Sequence, residues 1–454
     1  MNKYIARYAV LYPVQIFRGQ LHVRFMGKFR RQQYLPPAHI HELLHRKLVR
    51  LVTYAQNEIP FYRERLDGSV PGSFTSIADI EKIPVLRKKE ILENEKSIIH
   101  PHFGSKLNLR KTGGSTGMTL HFWKENETLA KNDAIMYRCY EWYGIKPGDR
   151  QARFWGVPVV ENLRRKEALK DTVLNRIRIS AFDINRESCL RQWEQIRKFK
   201  PVYFYGYTTA IYGFCLHMKN EGIDLNALNL KAVICTAEKM YPHHRKLFDE
   251  VFKCPVVDEY GSTENGIIAF QCRKGNMHLM ADHLLVEFLD EHDQPVKPGQ
   301  VGRIVITDLA SYAMPMIRYD IGDMGSPSDR TCDCGVTLPL MEIMEGRKED
   351  FIRTKEGKKV HAAYLCYTLK DDAVHEFKMY QTAIDAVRVQ IVKSPSFSGN
   401  SEKRLENNLR TALGNEMKIT FEYPDTIPRE KSGKLRYFVS ELPSPEIKTI
   451  PSDE

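Results

Sequence analysis

Between about residues 150 and 310, short β-rich runs alternate with helical patterns, and this alternation constrains the fold of the 454-residue chain more than any other feature. Val202–Tyr205, Ala232–Cys235 and Pro255–Val257 read as strands. Thr208–Glu221 and His243–Phe252 carry helical spacing between and after them. Strands interleaved with helices predict an α/β architecture of βαβ layers. Upstream, Leu43, Leu44, Leu48, Leu51, Val52 and Ala55 recur at three- and four-residue intervals, which predicts a helix over residues 40–66. A second helix is expected over 125–144, stopped by Gly144 and Pro147. Leu284–Leu289 and Arg303–Thr307, joined through a polar turn, read as a hairpin with a long loop. After Gly346 the pattern becomes smaller and α+β: a strand at Val387–Val392, an amphipathic helix over 402–413 and a strand at Ile419–Tyr423. The expected division is therefore a large domain over 1–345 and a small one over 346–454.

The net charge of +11 is concentrated at one end. Residues 1–50 hold ten Lys and Arg against a single acid, Glu42, which leaves about +2 for the rest of the chain. A uniformly basic nucleic-acid binder would not show this distribution, so no nucleic-acid partner is expected. Tyr4, Ile5, Tyr8, Ile16 and Phe17 are interspersed among these cations, without an apolar run long enough to span a bilayer. Two readings fit: peripheral contact with an anionic membrane face, or an arm packed on the large domain with its cations solvated. Pro13 interrupts helical periodicity and favours the second. Nine cysteines without a recognisable signal peptide suggest a reducing compartment, so a cytoplasmic location is expected, with the inner membrane as the peripheral alternative.

Lys111–Leu120 reads K-T-G-G-S-T-G-M-T-L. Glycines that allow positive φ and close approach, mixed with hydroxyls, suit a turn that closes on an anion. It is not a Walker A loop, since no Lys-Ser or Lys-Thr pair follows Gly117. Four more segments follow in order: D-E-Y-G-S-T-E at 258–264, A-M-P-M-I-R-Y-D-I-G-D at 313–323, G-R-K-E-D-F-I at 346–352 and P-R-E-K-S-G-K-L-R at 428–436. In this order the five segments resemble the adenylate-forming superfamily of acyl- and aryl-coenzyme A ligases. The nearest likeness is to the phenylacetate–coenzyme A ligase family and its capsular polysaccharide branch.

The resemblance implies ATP and Mg²⁺ as partners of the reaction and coenzyme A or an amine as acyl acceptor. It places Thr112, Gly113, Gly114, Ser115, Thr116 and Gly117 on the β- and γ-phosphates. Where many relatives carry a lysine just after this loop, Met118, Thr119 and Leu120 stand here. Tyr260 would stack on adenine, Gly261 would allow a tight turn, Thr263 would contact the α-phosphate and Glu264 would ligate Mg²⁺. Taken alone, Ser262–Glu264 also reads as a helix start. Ala237 and Glu238 match an adenine-lining dipeptide, Asp323 would hold the ribose with Arg318 and Tyr319 bracing the turn, and Arg347 would make a second ribose or phosphate contact. Taken alone, Asp323 also reads as an Asx-type turn residue. Lys434 corresponds to the adenylation lysine, and Glu349 takes a hinge position where relatives usually carry aspartate.

Tyr205, Gly206 and Tyr207 fall where the family lines its acyl pocket, and an aromatic wall suits an aryl or otherwise flat acid. The same aromatics also suit a packed core strand. His243 and His244 are expected on a helix surface. Cys272 and His278, with Cys332 and Cys334, supply three thiols and an imidazole, a donor set for structural Zn²⁺ if the two pairs meet. The remaining cysteines show no ligand spacing and are expected in the core. The leading reading is an ATP-dependent carboxylate-activating ligase, with an adenylyltransferase or a non-catalytic scaffold in polysaccharide assembly as alternatives.

Overall fold

The computed structural model describes residues 1–66, 74–104, 106–111, 120–156, 161–181, 184–347, 351–355, 359–361, 374–394, 396–428 and 437–442. The chain forms two compact units that divide between Glu345 and Gly346. In the first unit, β1 (Leu107–Lys111) and β2 (His121–Glu125) make a separate antiparallel pair. An eleven-stranded sheet follows. Its members are β3 (Gln151–Trp155), β4 (Arg176–Ser180), β5 (Tyr203–Tyr207), β6 (Ala232–Thr236), β7 (Val256–Ser262), β8 (Gly266–Gln271), β9 (Met277–Leu279), β10 (Leu284–Leu289), β11 (Gly302–Asp308), β12 (Tyr319–Ser328) and β13 (Leu340–Arg347). They lie in the order β10-β11-β12-β13-β9-β8-β7-β6-β5-β3-β4.

Strands β4, β3, β5, β6 and β7 are parallel neighbours. Parallel pairing requires a crossover, and helices Glu161–Val173, Arg186–Phe199, Thr208–Asn220 and Pro242–Val251 supply one between each consecutive pair. All five residues of β6 are buried, as expected for an apolar strand inside such a sheet. From β7 onward the pairing is antiparallel: β7 with β8, β8 with β9, β9 with β13, and β10 with β11 with β12. The expected hairpin is present in the register Leu284↔Asp308.

Helix Pro37–Glu58 buries Ile40, Leu44, Leu48, Leu51, Val52 and Ala55 on one face, and a new helix starts at Pro60. Helix Asn126–Glu141 carries Arg138, whose guanidinium donates to the Asp282 carboxylate with both side chains fully buried. The N-terminal segment departs from expectation. Pro13 does not break the helix, because Ile5–Leu11 is π-helical and Pro13 enters the first turn of the α-helical continuation Tyr12–Phe17. A proline there gives up a donor that the turn does not need.

The second unit holds a hairpin of β14 (Phe351–Arg353) and β15 (Lys359–His361). It also holds a four-stranded sheet of β16 (Val374–Ala383), β17 (Ala386–Lys393), β18 (Lys418–Glu422) and β19 (Phe438–Ser440), in the order β18-β17-β16-β19. Helix Gly399–Leu413 buries Leu405, Leu409 and Leu413. It starts three residues before the sequence pattern does, at a Ser398–Ser401 capping box.

Candidate active site

Three of the candidate segments lie at one end of adjacent interior strands. Tyr207, Thr236 and Glu259 are consecutive partners across β5, β6 and β7. Tyr205–Tyr207, Ala237–Glu238 and Tyr260–Glu264 therefore cluster at the carboxyl ends of three adjacent parallel strands. Open parallel sheets bind ligands there, because the loops leaving the strands face a common crevice.

The 258–264 segment is not a helix start. It runs along β7 into a tight turn at Thr263–Asn265 and returns as β8. The Ser262 hydroxyl accepts from Asn265 N at 3.0 Å, which caps the turn where the sequence suggested a helix cap. Gly261 sits at a register shift, and a Cβ there would stand 2.6 Å from the Gly266 carbonyl oxygen. The glycine is required by close strand approach. Thr263 is exposed at the tip of the turn.

Across the site, the Tyr260 hydroxyl donates to Asp323 Oδ2 at 2.9 Å. The Asx-type turn belongs to Asp320 instead, whose Oδ1 accepts from Gly322 N at 2.9 Å. Asp320 also pairs with Arg303 at 2.7 Å, so Asp323 is released to face Tyr260. Arg318 does brace this region. It adopts a positive φ of 54°, and its buried guanidinium reaches Glu287 at 2.8 Å and the Ile83 carbonyl at 2.7 Å.

Glu264 shares a pocket with Phe122, Lys124, Asn265, Asp308, Ser311, Met314 and Met316. Burial raises the Glu264 carboxyl above its ordinary range; the Asp323 charge adds to this and Lys124 opposes it. Lys124 is almost wholly buried and donates to Asp308, whose carboxyl is held low chiefly by Lys124 and His283 against the effect of burial. Sequence reasoning passed over Lys124, since a lone lysine in H-F-W-K-E reads as an outward-facing strand residue. Its neighbour Glu125 accepts from Tyr312 N at 2.8 Å and so fixes the start of the 313–323 segment.

Glu238 uses its carboxylate locally: it accepts from Thr209 N at 2.8 Å and caps helix Thr208–Asn220. Ala237 has a φ of 65°, unusual for a residue with a Cβ. Tyr205 of β5 and Tyr140 of helix Asn126–Glu141 donate their hydroxyls to the two oxygens of buried Glu259 at 3.2 and 3.1 Å. The Trp155 ring lies 4.1 Å from that of Tyr207, and the Arg153 guanidinium lies 4.4 Å over Trp155 and 5.1 Å over Tyr205. Gly206 has no room for a Cβ, which would stand 2.2 Å from the Phe154 carbonyl oxygen. His244 corrects another expectation. It is buried, and its Nδ1 accepts from Tyr241 N at 3.2 Å, because it fills the third position of the helix start at Pro242.

Thr112, Gly113, Gly114, Ser115, Thr116, Gly117, Glu349 and Lys434 lie outside the described residues. Arg347 closes β13, and its side chain is likewise outside them. Cys272, His278, Cys332 and Cys334, drawn from two separate segments, place their ligand atoms within 4.8 Å of one another. Cys139, Cys189, Cys215 and Cys235 are buried, and Cys254 is half-buried.

Residues 177–310 match the family model described as AMP-binding enzyme, and residues 352–441 match the CapK C-terminal domain. Together with the relatives that follow, these matches indicate an adenylate-forming ligase. It is 24% identical to Protein CapK of Staphylococcus aureus, over 88% of this chain and 89% of that one. It is also 24% identical to the phenylacetate-coenzyme A ligase of Thermus thermophilus, over 88% and 96% of the two chains. The fold of this adenylate-forming ligase matches that of 2-hydroxyisobutyryl-CoA ligase in its postadenylation state, with a TM-score of 0.74 and 19% identity over 90% of this chain and 91% of that one. The anthranilate CoA ligase AuaEII superposes with a TM-score of 0.52 at 14% identity, over 72% of this chain and 65% of that one.

Proposed function

We propose that the protein couples ATP to the activation of a carboxylic acid and passes the acyl group to coenzyme A or an amine, in the building of a surface polysaccharide. The observation that carries the reading is the convergence of the 205–207, 237–238 and 260–264 segments at the ends of β5, β6 and β7, with Asp323 bonded to Tyr260 across the same crevice. The similarity to CapK supports the polysaccharide setting, and the ligase relatives support coenzyme A.

In the adenylation step, a substrate carboxylate oxygen bonds to the α-phosphorus of ATP while the bond to the β-phosphate oxygen breaks and pyrophosphate leaves. Negative charge on the phosphate oxygens must be met by preorganised donors and cations. Tyr260 offers a ring for adenine, Asp323 accepts from the ribose hydroxyls, and Thr112, Ser115 and Thr116 supply hydroxyl donors to the phosphates. Lys434 bridges substrate carboxylate and α-phosphate, Arg347 makes the second ribose contact, and Glu349 is the pivot for the later acyl transfer. Glu264 fits a divalent cation: it is a carboxylate destabilised by burial and by Asp323, in a pocket whose one lysine is already bound to Asp308. Mg²⁺ held there would supply Lewis-acid neutralisation of the phosphate oxygens. Trp155, Tyr205 and Tyr207 form a flat wall that suits an aromatic or planar acid.

The test is product analysis by mass spectrometry with ATP, candidate acids, and either coenzyme A or an amino sugar. A thioester or amide together with free AMP supports the proposal. A stable product that keeps AMP identifies an adenylyltransferase, and no ATP turnover with any acid identifies a scaffold.

A further inference from the structure

We infer that Cys272, His278, Cys332 and Cys334 bind one Zn²⁺ that ties together the two halves of the antiparallel part of the sheet. This stands independently of the proposed reaction. The two segments are 60 residues apart, yet Cys272 Sγ lies 3.6 Å from Cys332 Sγ, and Cys334 Sγ lies 3.2 Å from His278 Nε2. Tetrahedral zinc with bonds of about 2.3 Å to sulfur and 2.0–2.1 Å to nitrogen places its ligand atoms roughly 3.6–3.8 Å apart. These two separations need only a few tenths of an ångström of adjustment, and the remaining ones, all within 4.8 Å, need to close by at most about 1 Å. They are far too long for a disulfide, whose sulfurs stand about 2.05 Å apart.

The surroundings are also arranged for a metal. His278 Nδ1 stands 2.9 Å from the Leu338 carbonyl, which accepts its proton and leaves the Nε2 lone pair pointing into the cluster. Asn276 Nδ2 donates to Cys332 Sγ at 3.1 Å, a contact that stabilises a thiolate. Cys272 and His278 are buried, and the Trp142 ring packs 5.9 Å from that of His278. Three thiolates and one imidazole select zinc over magnesium or calcium. Four protein ligands leave no open position, so the site is structural.

Its location gives it a defined task. Cys272 follows β8 directly, and His278 sits on β9 opposite Leu340 of β13. Cys332 and Cys334 occupy the link between β12 and β13. Among the described residues the three-residue strand β9 has two partner pairs with β13 and one further backbone bond, Leu279 N to the Pro339 carbonyl at 2.8 Å, so the ladder at this seam is short. Zinc bonds add the cross-link that the ladder lacks.

The experiment is elemental analysis of the full-length protein purified without chelator, alongside Cys332→Ser/Cys334→Ser and the control Cys254→Ser. The expected result is about one zinc per wild-type chain, the same in the control, and loss in the double variant. Because the double variant can fail to fold, wild-type protein is also stripped with a chelator and refilled with Co²⁺. Intense thiolate-to-cobalt absorption, and a melting temperature that falls by more than about 5 °C on stripping and returns with Zn²⁺ but not Mg²⁺, support the site. Absence of zinc with no uptake of Zn²⁺ or Co²⁺, or zinc retained in full by a folded double variant, overturns it.

The N-terminal helices separately point to a lipid partner: we propose that their outward face docks on an anionic membrane surface. Over Ile5–Phe17 the inward face buries Ala6, Leu11 and Gln15, while Ile5, Tyr8, Ile16 and Phe17 turn outward with 55, 58, 63 and 93% of their surface exposed. Exposed Lys3, Arg18 and Arg24 accompany them. A water-facing helix should be polar on that side. Apolar and aromatic side chains with cations around them suit the headgroup boundary of anionic lipid, and the excess of like charge opposes pairing with a second copy. Among the described residues no helix is long and apolar enough to cross a membrane.

Cosedimentation with phosphatidylcholine vesicles, with and without phosphatidylglycerol, tests it on the full chain. Binding should rise at least fivefold with the anionic lipid at low salt and be lost in Ile16→Glu/Phe17→Glu, whose thermal unfolding should be unchanged. Equal sedimentation of wild type and variant, or a wild-type dimer that the variant abolishes without vesicle binding, overturns it.

Discussion

Tyr260 and Asp323 meet across 2.9 Å, joining the end of β7 to β12 from 63 residues away in sequence. The bond fixes two groups with different proposed tasks, a ring that takes a base and a carboxylate that takes a ribose. Asp323 is available for it because Asp320 satisfies the local backbone and pairs with Arg303.

Removing only the phenolic hydroxyl should separate these tasks. Tyr260→Phe keeps the ring and leaves Asp323 without this donor, so the KM for ATP should rise about tenfold with a smaller change in kcat. That corresponds to one hydrogen bond to a charged group, roughly 1.5 kcal/mol. Tyr260→Ala should cost more, since stacking is lost as well. Steady-state kinetics with ATP as the varied substrate checks both.

Gly206 is constrained by its neighbour on β3. Gly206→Ala drives a methyl into the Phe154 carbonyl and should destabilise the fold by roughly 2–4 kcal/mol, read as a lower urea midpoint. Gly222→Ala is the comparison, because nothing lies within 4 Å of its Cβ position. Its φ of 69° should cost only about 1 kcal/mol.

The buried Arg138–Asp282 pair predicts an asymmetry. Arg138→Met alone strands a carboxylate in the core and should cost about 3–5 kcal/mol. The double change Arg138→Met/Asp282→Leu should recover much of that loss, and urea denaturation of the three proteins measures the difference.

His22 and His283 are buried, and burial lowers both to about 4. They are neutral in the folded protein but take up a proton near pH 6.5 when unfolded. The unfolded state therefore binds more protons, and stability falls as pH drops from about 6.5 toward 4, by up to about 3 kcal/mol for each group. Asp133, raised to about 6, and Asp258, raised to about 7, act in the opposite sense. The assignment is made by difference: His283→Asn should show a shallower loss of urea stability between pH 7 and 5 than wild type.

Strands β5, β6 and β7 were legible as short apolar runs among periodic helices, whereas β3 (Gln151–Trp155) and β4 (Arg176–Ser180), which carry polar and charged residues, were not. Helix Pro37–Glu58 was legible from its stripe of leucines. The turn after Tyr260 was not, because a hydroxyl residue followed closely by a glutamate serves a helix start and a hairpin turn equally well. Lys124 was invisible for a different reason. Its burial is set by Asp308, 184 residues away, and no local pattern encodes such a partner. Pro13 misled because the preceding π-helical turns cannot be read from spacing. The four zinc ligands were visible as residue types, but only the folded chain places them within 4.8 Å.

Carboxylate-dependent exchange of pyrophosphate into ATP tests the central claim most directly, since it reports the first half-reaction and needs no acyl acceptor. Wild-type protein should exchange with at least one acid from an aryl, fatty and amino acid panel, while folded Asp323→Ala and Lys434→Ala proteins should lose more than 99% of that rate. Undiminished exchange in both variants, or none in wild type with any acid, would contradict the account.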